Sequence, residues 1–394
     1  MTNELALDTE HPLPTAEAEA WRYSPIADLD LARFAPAAAP GGGLPVERPA
    51  EAAALVALVD GHVAGIDLDD GWAAKGVTIA AVPASEAGEL LPVPEPTAFD
   101  DLHARQLSAV VVIDVPRGVE LSEPILVTER LSGGSTLAAS HLVVRAGDGA
   151  GVSVVATQTA APGSDGAAIY LPRCELVAGP AARLRYAVVQ ELGEETWMLG
   201  RQLGAADAQA TVSATFAAFG GRYARQRVDT DLIGRGATGE LAAVSYGDGS
   251  QVIDFRTFQH HRARDTYSDL LFKGAVDDTS GSIYTGLIKI HPDGAGSNAH
   301  QTNRNIKLSD DAWAWSVPNL EIEHNDVRCS HASTVSPVDE DQQFYLQGRG
   351  VPPAVADRLI VGGFFAEALA RFDLASVRDE VAAQVAAKLE GRGA

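Results

Sequence analysis

The sequence predicts an all-β core folded as a parallel β-helix, entered through a small α/β lead-in and followed by a C-terminal helical domain. Three observations carry that prediction. From about residue 107, short runs rich in Val, Leu, Ile and Thr succeed one another, among them 109–115, 141–145, 152–156, 183–189, 211–216, 239–245 and 282–290. Turn cues return at Gly149-Ala150-Gly151, Gly179-Pro180-Ala181-Ala182, Asp207-Ala208-Gln209-Ala210 and Gly236-Ala237-Thr238-Gly239. They lie about 30 residues apart, each just before a fresh strand. No long helical period interrupts these units, which excludes a doubly wound α/β fold. Tandem hairpin signals such as Asn-Gly are missing, which favours a stack of parallel coils over a long sandwich. The 38 glycines and 6% aromatic residues suit small side chains stacked at coil corners.

Residues 1–105 form the lead-in. The first 20 are acidic and Pro/Ala-rich, which predicts a frayed terminus. Trp21-Arg22-Tyr23-Ser24-Pro25-Ile26 then opens an ordered element, with Ser24 and Pro25 suited to cap and start a helix. The run from Ala35 to Gly43 reads as a low-complexity loop. A strand over 76–80 and a helix over 99–106 follow. Residues 106–340 are the β-helix core. Residues 341–394 are helical: Val351-Pro352-Pro353 starts a helix in which Leu359, Ile360 and Phe364 recur at helical spacing. A second helix carries Leu374, Val377, Val381, Val385 and Leu389 as one apolar stripe, released by Gly391-Arg392-Gly393. The stripe reads as core, with a docking face for a partner as the other reading. A helical cap over the terminal coil would prevent edge pairing.

Thirty Lys and Arg against 53 Asp and Glu leave a formal charge of -23, which argues against a nucleic-acid binder. With 46% hydrophobic and 21% charged residues the chain can bury a core. Apolar runs such as 107–115 stop far short of a membrane span, and Met1–Glu10 lacks the basic start and apolar run of a secretion signal. Two cysteines, Cys174 and Cys329, are too few for a disulfide framework, and a reduced cytoplasmic location is expected.

No phosphate loop, His-Glu-x-x-His, Gly-x-Ser-x-Gly or Cys-x-x-Cys occurs. Gly147-Asp148-Gly149-Ala150-Gly151 has the wrong final spacing for a dinucleotide loop and precedes a strand, so it reads as a turn. The one dense cluster of chemically capable residues runs from Glu321 to His331. If 328–332 is extended, Cys329 and His331 share a face, because side chains alternate with period two. A thiolate and an imidazole there suit iron, zinc or copper(I), and the imidazole would also make the thiol a better nucleophile or sulfur acceptor. Two donors do not close a metal site, so a partner chain would supply the rest. The alternative is a buried cysteine beside a hydrogen-bonded histidine. His260 and His261 are adjacent and face opposite ways in a strand, and Arg262 and Arg264 beside them suggest a solvated face. His291 and His300 read as loop residues, and Cys174 as a small core residue.

Several stretches together resemble the SufB/SufD family. In order they are Leu270-Leu271-Phe272-Lys273-Gly274, Gln301-Thr302-Asn303-Arg304-Asn305-Ile306-Lys307-Leu308-Ser309, Pro318-Asn319-Leu320-Glu321-Ile322, Asp326-Val327-Arg328-Cys329-Ser330-His331 and Phe344-Tyr345-Leu346-Gln347-Gly348-Arg349-Gly350-Val351. Weaker similarity reaches back to Val119-Glu120-Leu121-Ser122-Glu123-Pro124-Ile125. The opening Trp21-Arg22-Tyr23-Ser24-Pro25, the Cys-Ser-His sequence and the modest length resemble SufD more than SufB. The resemblance implies a right-handed parallel β-helix and membership of the SUF machinery for iron–sulfur cluster assembly. It implies pairing with SufB through the β-helices and binding of the ATPase SufC through the C-terminal helices, so that SufC would supply the phosphate loop and this chain would bind no nucleotide itself. It further implies that Cys329 and His331 lie at the SufB interface, holding a transient iron–sulfur cluster shared with SufB. One departure stands out: the family's small Gly-Ala-Thr after the histidine is Ala332-Ser333-Thr334 here, which adds a Cβ near an expected tight strand end.

The function expected from these readings is a non-enzymatic scaffold subunit. Two other readings stand beside it: a stand-alone β-helix enzyme acting on a polysaccharide or acyl group, and a purely structural homodimer. The acidic balance disfavours a polyanionic substrate, and no carboxylate pair stands apart from the general acidic surface.

Overall fold

The computed structural model describes residues 10–39 and 47–391. Its lead-in comprises β1 (Ala35–Pro36), β2 (Ala54–Val59), β3 (His62–Leu68), α1 (Asp70–Ala74), β4 (Thr78–Val82) and α2 (Ala98–Gln106). Sixteen strands follow: β5 (Val110–Val115), β6 (Ile125–Leu131), β7 (Thr136–Ala146), β8 (Gly151–Ala160), β9 (Ala168–Ala178), β10 (Arg183–Glu191), β11 (Thr196–Ala206), β12 (Thr211–Ala218), β13 (Tyr223–Leu232), β14 (Thr238–Gly247), β15 (Val252–His261), β16 (Tyr267–Val276), β17 (Gly281–Ile290), β18 (Asn298–Lys307), β19 (Trp313–Ile322) and β20 (Arg328–Pro337). The chain closes with α3 (Glu340–Gly348), α4 (Pro353–Leu369) and α5 (Ala375–Gly391).

Odd-numbered strands from β5 onward stack into sheet one and even-numbered strands from β6 into sheet two, every neighbour parallel and two places away in sequence. The chain therefore winds through about eight turns of a parallel β-solenoid. Residues at matching positions of successive coils lie directly above one another, so the interior is a set of columns. One continuous apolar core runs from Leu58 through Val152, Leu184 and Phe216 to Tyr284. The turn between β7 and β8 is tight enough that a Cβ on Gly147 would press on the Arg117 backbone nitrogen at 2.7 Å.

The two ends differ. At the N-terminal end β4 pairs antiparallel with β5, and β2 joins β6 while β3 folds back on β2 as a hairpin. That hairpin turns at Asp60 and Gly61, both with positive φ. At the other end β19 and β20 are last in their sheets. The C-terminal helices do not cap these two strands. They lie along the side of the solenoid, α4 against β14 and β16 and α5 against β10 and β14. The reason is apolar: this outer face presents Phe219, Val244, Tyr246 and Leu271, and Phe365, Val377, Val381, Val385 and Leu389 cover it. The second stripe therefore is core. The first helix buries Ala356, Val361, Phe365 and Ala368, whereas Leu359 is 55% exposed, so its apolar face is rotated from the expected one.

Three details of the lead-in also differ from expectation. Residues 1–9 lie outside the described part, but His11 is not frayed, since its backbone N–H and ring bind Asp101. Ser24 caps nothing: its hydroxyl donates to the Trp21 carbonyl at 2.7 Å, between two short 3-10 turns. Within the expected loop, Ala35 and Pro36 pair with β7, while 40–43 fall outside the described residues.

Candidate functional site

Strand β20 pairs with β18 along its whole length, Arg328 opposite Asn298 and Pro337 opposite Lys307. That register fixes where its side chains point. Cys329 heads the column Val152, Leu184, Val212, Gly239, Ser268 and Ala299, and His331 heads Val154, Tyr186, Ala214, Leu241, Leu270 and Gln301. Both columns belong to the buried interior. The structure thus brings Cys329 and His331 onto one face, the lumen side, at the end where no further coil covers them.

Their environments differ. Cys329 packs half-buried on the cluster of Ile288, Ile290 and Ala299, and that burial pushes its thiol above the ordinary value. His331 is exposed. A buried cysteine beside a satisfied histidine therefore does not describe this pair. Around them, Lys289 reaches Glu321 at 3.0 Å and Glu323 at 3.6 Å, and the His324 Nδ1 accepts the Asp326 backbone N–H at 3.1 Å. Among the described residues no group of three or more His, Cys, Asp or Glu is arranged to hold a metal ion. Cys329 and His331 are an incomplete donor set, and a metal or sulfur acceptor role requires the thiol to give up its proton first.

The layer beneath them was missed in the sequence. Gln301, 1% exposed, lies directly under His331, and neither of its amide atoms has a hydrogen-bond partner among the described residues. Two residues on, Asn303 accepts from Asn305 Nδ2 at 2.9 Å, and Asn305 Oδ1 accepts from Ser282 Oγ at 3.1 Å. One coil lower the matching positions are Leu270, Phe272 and Gly274. At these three positions the lumen lining changes from apolar to polar in the single coil under its open end. The signal was the alternation Gln301, Asn303, Asn305 at inward positions of a strand whose neighbour is apolar there.

Other candidates are dispersed. His260 faces outward on β15 with Nδ1 3.3 Å from the His291 Nε2, so these two are brought together. His261 faces inward and is fully buried, bound to Thr266 Oγ1 at 2.8 Å and Ser268 Oγ at 2.9 Å, so the pair is not one solvated face. His291 lies in the turn after β17, but His300 is within β18 and contacts Ser330 Oγ at 2.8 Å. Cys174 is core, and burial raises its thiol far above the ordinary range.

Comparison with known proteins agrees with this architecture. Residues 129–364, more than half of the chain, match the family model described as SUF system FeS cluster assembly, SufBD core domain. An iron–sulfur cluster assembly SufBD family protein of Mycobacterium bovis is 30% identical over 291 residues, covering 72% of each chain. The iron–sulfur cluster assembly protein SufD of Bacillus subtilis is 26% identical over 290 residues, 73% of this chain and 66% of that one. SufD of Escherichia coli is 30% identical over 172 residues, 44% of this chain and 41% of that one. No helix among the described residues is long and apolar enough to cross a membrane.

Proposed function

The chain belongs to the SufBD family, and from that premise we propose that it is a SufD-like, non-enzymatic scaffold subunit of the SUF machinery, working in the cytoplasm. It pairs with SufB through the open end formed by β19 and β20 and binds SufC through the C-terminal helical region. Cys329 and His331 contribute donors to a nascent iron–sulfur cluster that is the cargo of the assembly and is completed by groups on SufB. The observation that carries the reading is the position of those two side chains at the heads of adjacent lumen columns, over a polar layer, at the end of the solenoid where β19 and β20 have no further coil paired to them among the described residues. Unpaired edges invite strand addition from another chain, and a thiol–imidazole pair lacking further ligands suits a site completed across such a contact.

The test is anaerobic reconstitution with SufB and SufC, scoring iron and acid-labile sulfide per complex. Cys329→Ala and His331→Ala should each lower cluster content severalfold while the complex still assembles. Full content in both variants would sink the assignment. For SufC, deletion of the helices is a poor test, because it would strip the apolar cover from sheet two. Phe344, 80% exposed, and Leu359, 55% exposed, are better targets. Phe344→Asp and Leu359→Asp should abolish SufC co-purification without unfolding the solenoid, and undiminished capture would refute the docking surface.

A further inference from the structure

Between the outer face of β9, β11 and β13 and the lead-in lies a cavity of about 220 Å³. Its floor is a ladder of guanidiniums: Arg173 is in register with Arg201, and Arg201 with Arg227. Arg225 joins from the next position on β13, its guanidinium 3.8 Å over the Trp21 ring. Neighbouring rungs are about 4.8 Å apart, so like charges stacked on them repel and need compensation.

The resident carboxylates are nearly spent in providing it. Asp100 accepts from the Thr97 N–H and hydroxyl, from Arg173 Nη2 and from Arg201 Nη2. Asp229 is clamped by Nε and Nη2 of Arg227. Glu95 reaches Arg227 Nη1 at 2.9 Å from the rim, but its side chain is 76% exposed and its backbone sits at φ 47°. Counting Asp254, which binds Arg225, four carboxylates balance four guanidiniums, so recognition here rests on unspent hydrogen bonds rather than on net charge. Arg173 Nε is buried with no acceptor among the described residues. Burial also lowers the proton affinity of Arg173 and Arg201, although Arg201 already donates Nη1 to the Pro94 carbonyl at 2.9 Å and Nη2 to Asp100 at 3.0 Å.

The same cavity holds an unspent acceptor. His103 is 3% exposed, and its Nε2 lies 3.2 Å from the Ser140 carbonyl, so Nε2 carries the hydrogen. Burial keeps the ring neutral, and Nδ1, which has no partner among the described residues, is a bare lone pair. A ligand that satisfies the whole cavity needs several acceptor oxygens and one O–H donor. Hydrogenphosphate has both, whereas sulfate has no proton to give.

We propose that this cleft binds a phosphate group carrying one proton, with Arg173, Arg201 and Arg227 donating to its oxygens and His103 Nδ1 accepting its O–H. The anion displaces Glu95 from Arg227 on entry. The inference is independent of the cluster site, which lies at the far end of the solenoid.

The test is calorimetric titration of the full chain with inorganic phosphate, glycerol phosphate and sulfate at matched ionic strength. Phosphate should bind saturably and at least tenfold more tightly than sulfate. Binding of inorganic phosphate alone identifies the free anion as ligand, and binding of glycerol phosphate as well identifies a phosphomonoester; both support the site. Glu95→Gln, at an exposed position, should tighten phosphate about two- to fivefold by removing the competing rim ion pair. Arg173→Gln should weaken it at least tenfold. No saturable binding in either wild type or Glu95→Gln overturns the proposal. Sulfate binding as tightly as phosphate, or an affinity unmoved by Glu95→Gln, marks an adventitious ion only and overturns it as well.

Discussion

Tyr23 lies flat on Trp315, with ring centroids 4.5 Å apart and planes 8° apart. The two come from opposite ends of the chain: Tyr23 from the lead-in, Trp315 from the outer face of β19, the last rung of its sheet. The Ala20 carbonyl, three residues before Tyr23, accepts from Arg225 Nη1 at 2.9 Å and Arg256 Nη1 at 3.0 Å, so the segment is pinned to the rungs below. A residue of the lead-in thereby steadies the edge strand that the proposed partner would meet. Tyr23→Ala is expected to destabilise by about 1–2 kcal/mol and to speed amide exchange in 313–322 selectively. A double-mutant cycle with Trp315→Ala should return a coupling of about 0.5–1.5 kcal/mol. Zero coupling would mean the rings touch without holding the strand.

Two buried groups pull the pH dependence of stability in opposite directions. Burial raises the Glu129 carboxyl to about 7 from 4.5, although it accepts the Gly61 N–H at 2.8 Å. Between those values the native chain keeps a proton that the unfolded chain has lost, so the Glu129 contribution falls as pH rises from 4.5 to 7 and is gone above it. Burial lowers His261 to about 4 from 6.5, so its contribution is lost as pH falls from 6.5 to 4. Over the shared window the two offset each other. Glu129→Gln minus wild type should isolate the first, a difference on the order of 3 kcal/mol developing between pH 4.5 and 7 in urea unfolding. A difference curve that is flat across that range refutes the buried acid.

The hairpin that seals the N-terminal end depends on Gly61. Its φ is +80°, and a Cβ there would run into the Ala139 carbonyl oxygen. Asp60 adds an anchor by accepting the Ser132 N–H at 2.8 Å. Gly61→Ala therefore meets both backbone strain and a steric block, and should cost more than about 2 kcal/mol, with exchange protection lost first in 54–68. A thermal midpoint within a degree of wild type would show that the turn can relax.

The coil repeat was legible because each turn needs its own small residues and each strand its own Val, Ile and Leu, both of which are local signals. Cys329 and His331 were legible as a pair because period-two alternation is local too. Asp60-Gly61 was legible in principle, flanked by two apolar runs, but it precedes the repeating units that carry the coil pattern. The arginine ladder was not legible, because Arg173, Arg201 and Arg227 become neighbours only once unequal coil lengths are laid in register. The side-on course of the C-terminal helices was hidden for a related reason. Alanines and valines on the outer face of sheet two look like ordinary strand residues until the coils stack them into one apolar surface.

That surface also fixes the phase of α4, which the sequence pattern misjudged. Phe365 is fully buried against sheet two, and Lys273 locks the next turn of the contact by donating to the Phe364 carbonyl at 2.7 Å and pairing with Glu367 at 2.8 Å. Leu359 lies on the opposite side of the helix, where truncation leaves no cavity. Phe365→Ala should therefore destabilise by about 3–5 kcal/mol, whereas Leu359→Ala should stay within about 0.5 kcal/mol. The two variants should behave in the reverse order towards SufC, with Leu359→Ala weakening capture and Phe365→Ala acting only through its effect on folding. Chemical unfolding followed by pull-down at a temperature where both variants remain folded separates the effects. If Leu359→Ala proved the more destabilising, the rotation of this helix on the solenoid would have to be redrawn.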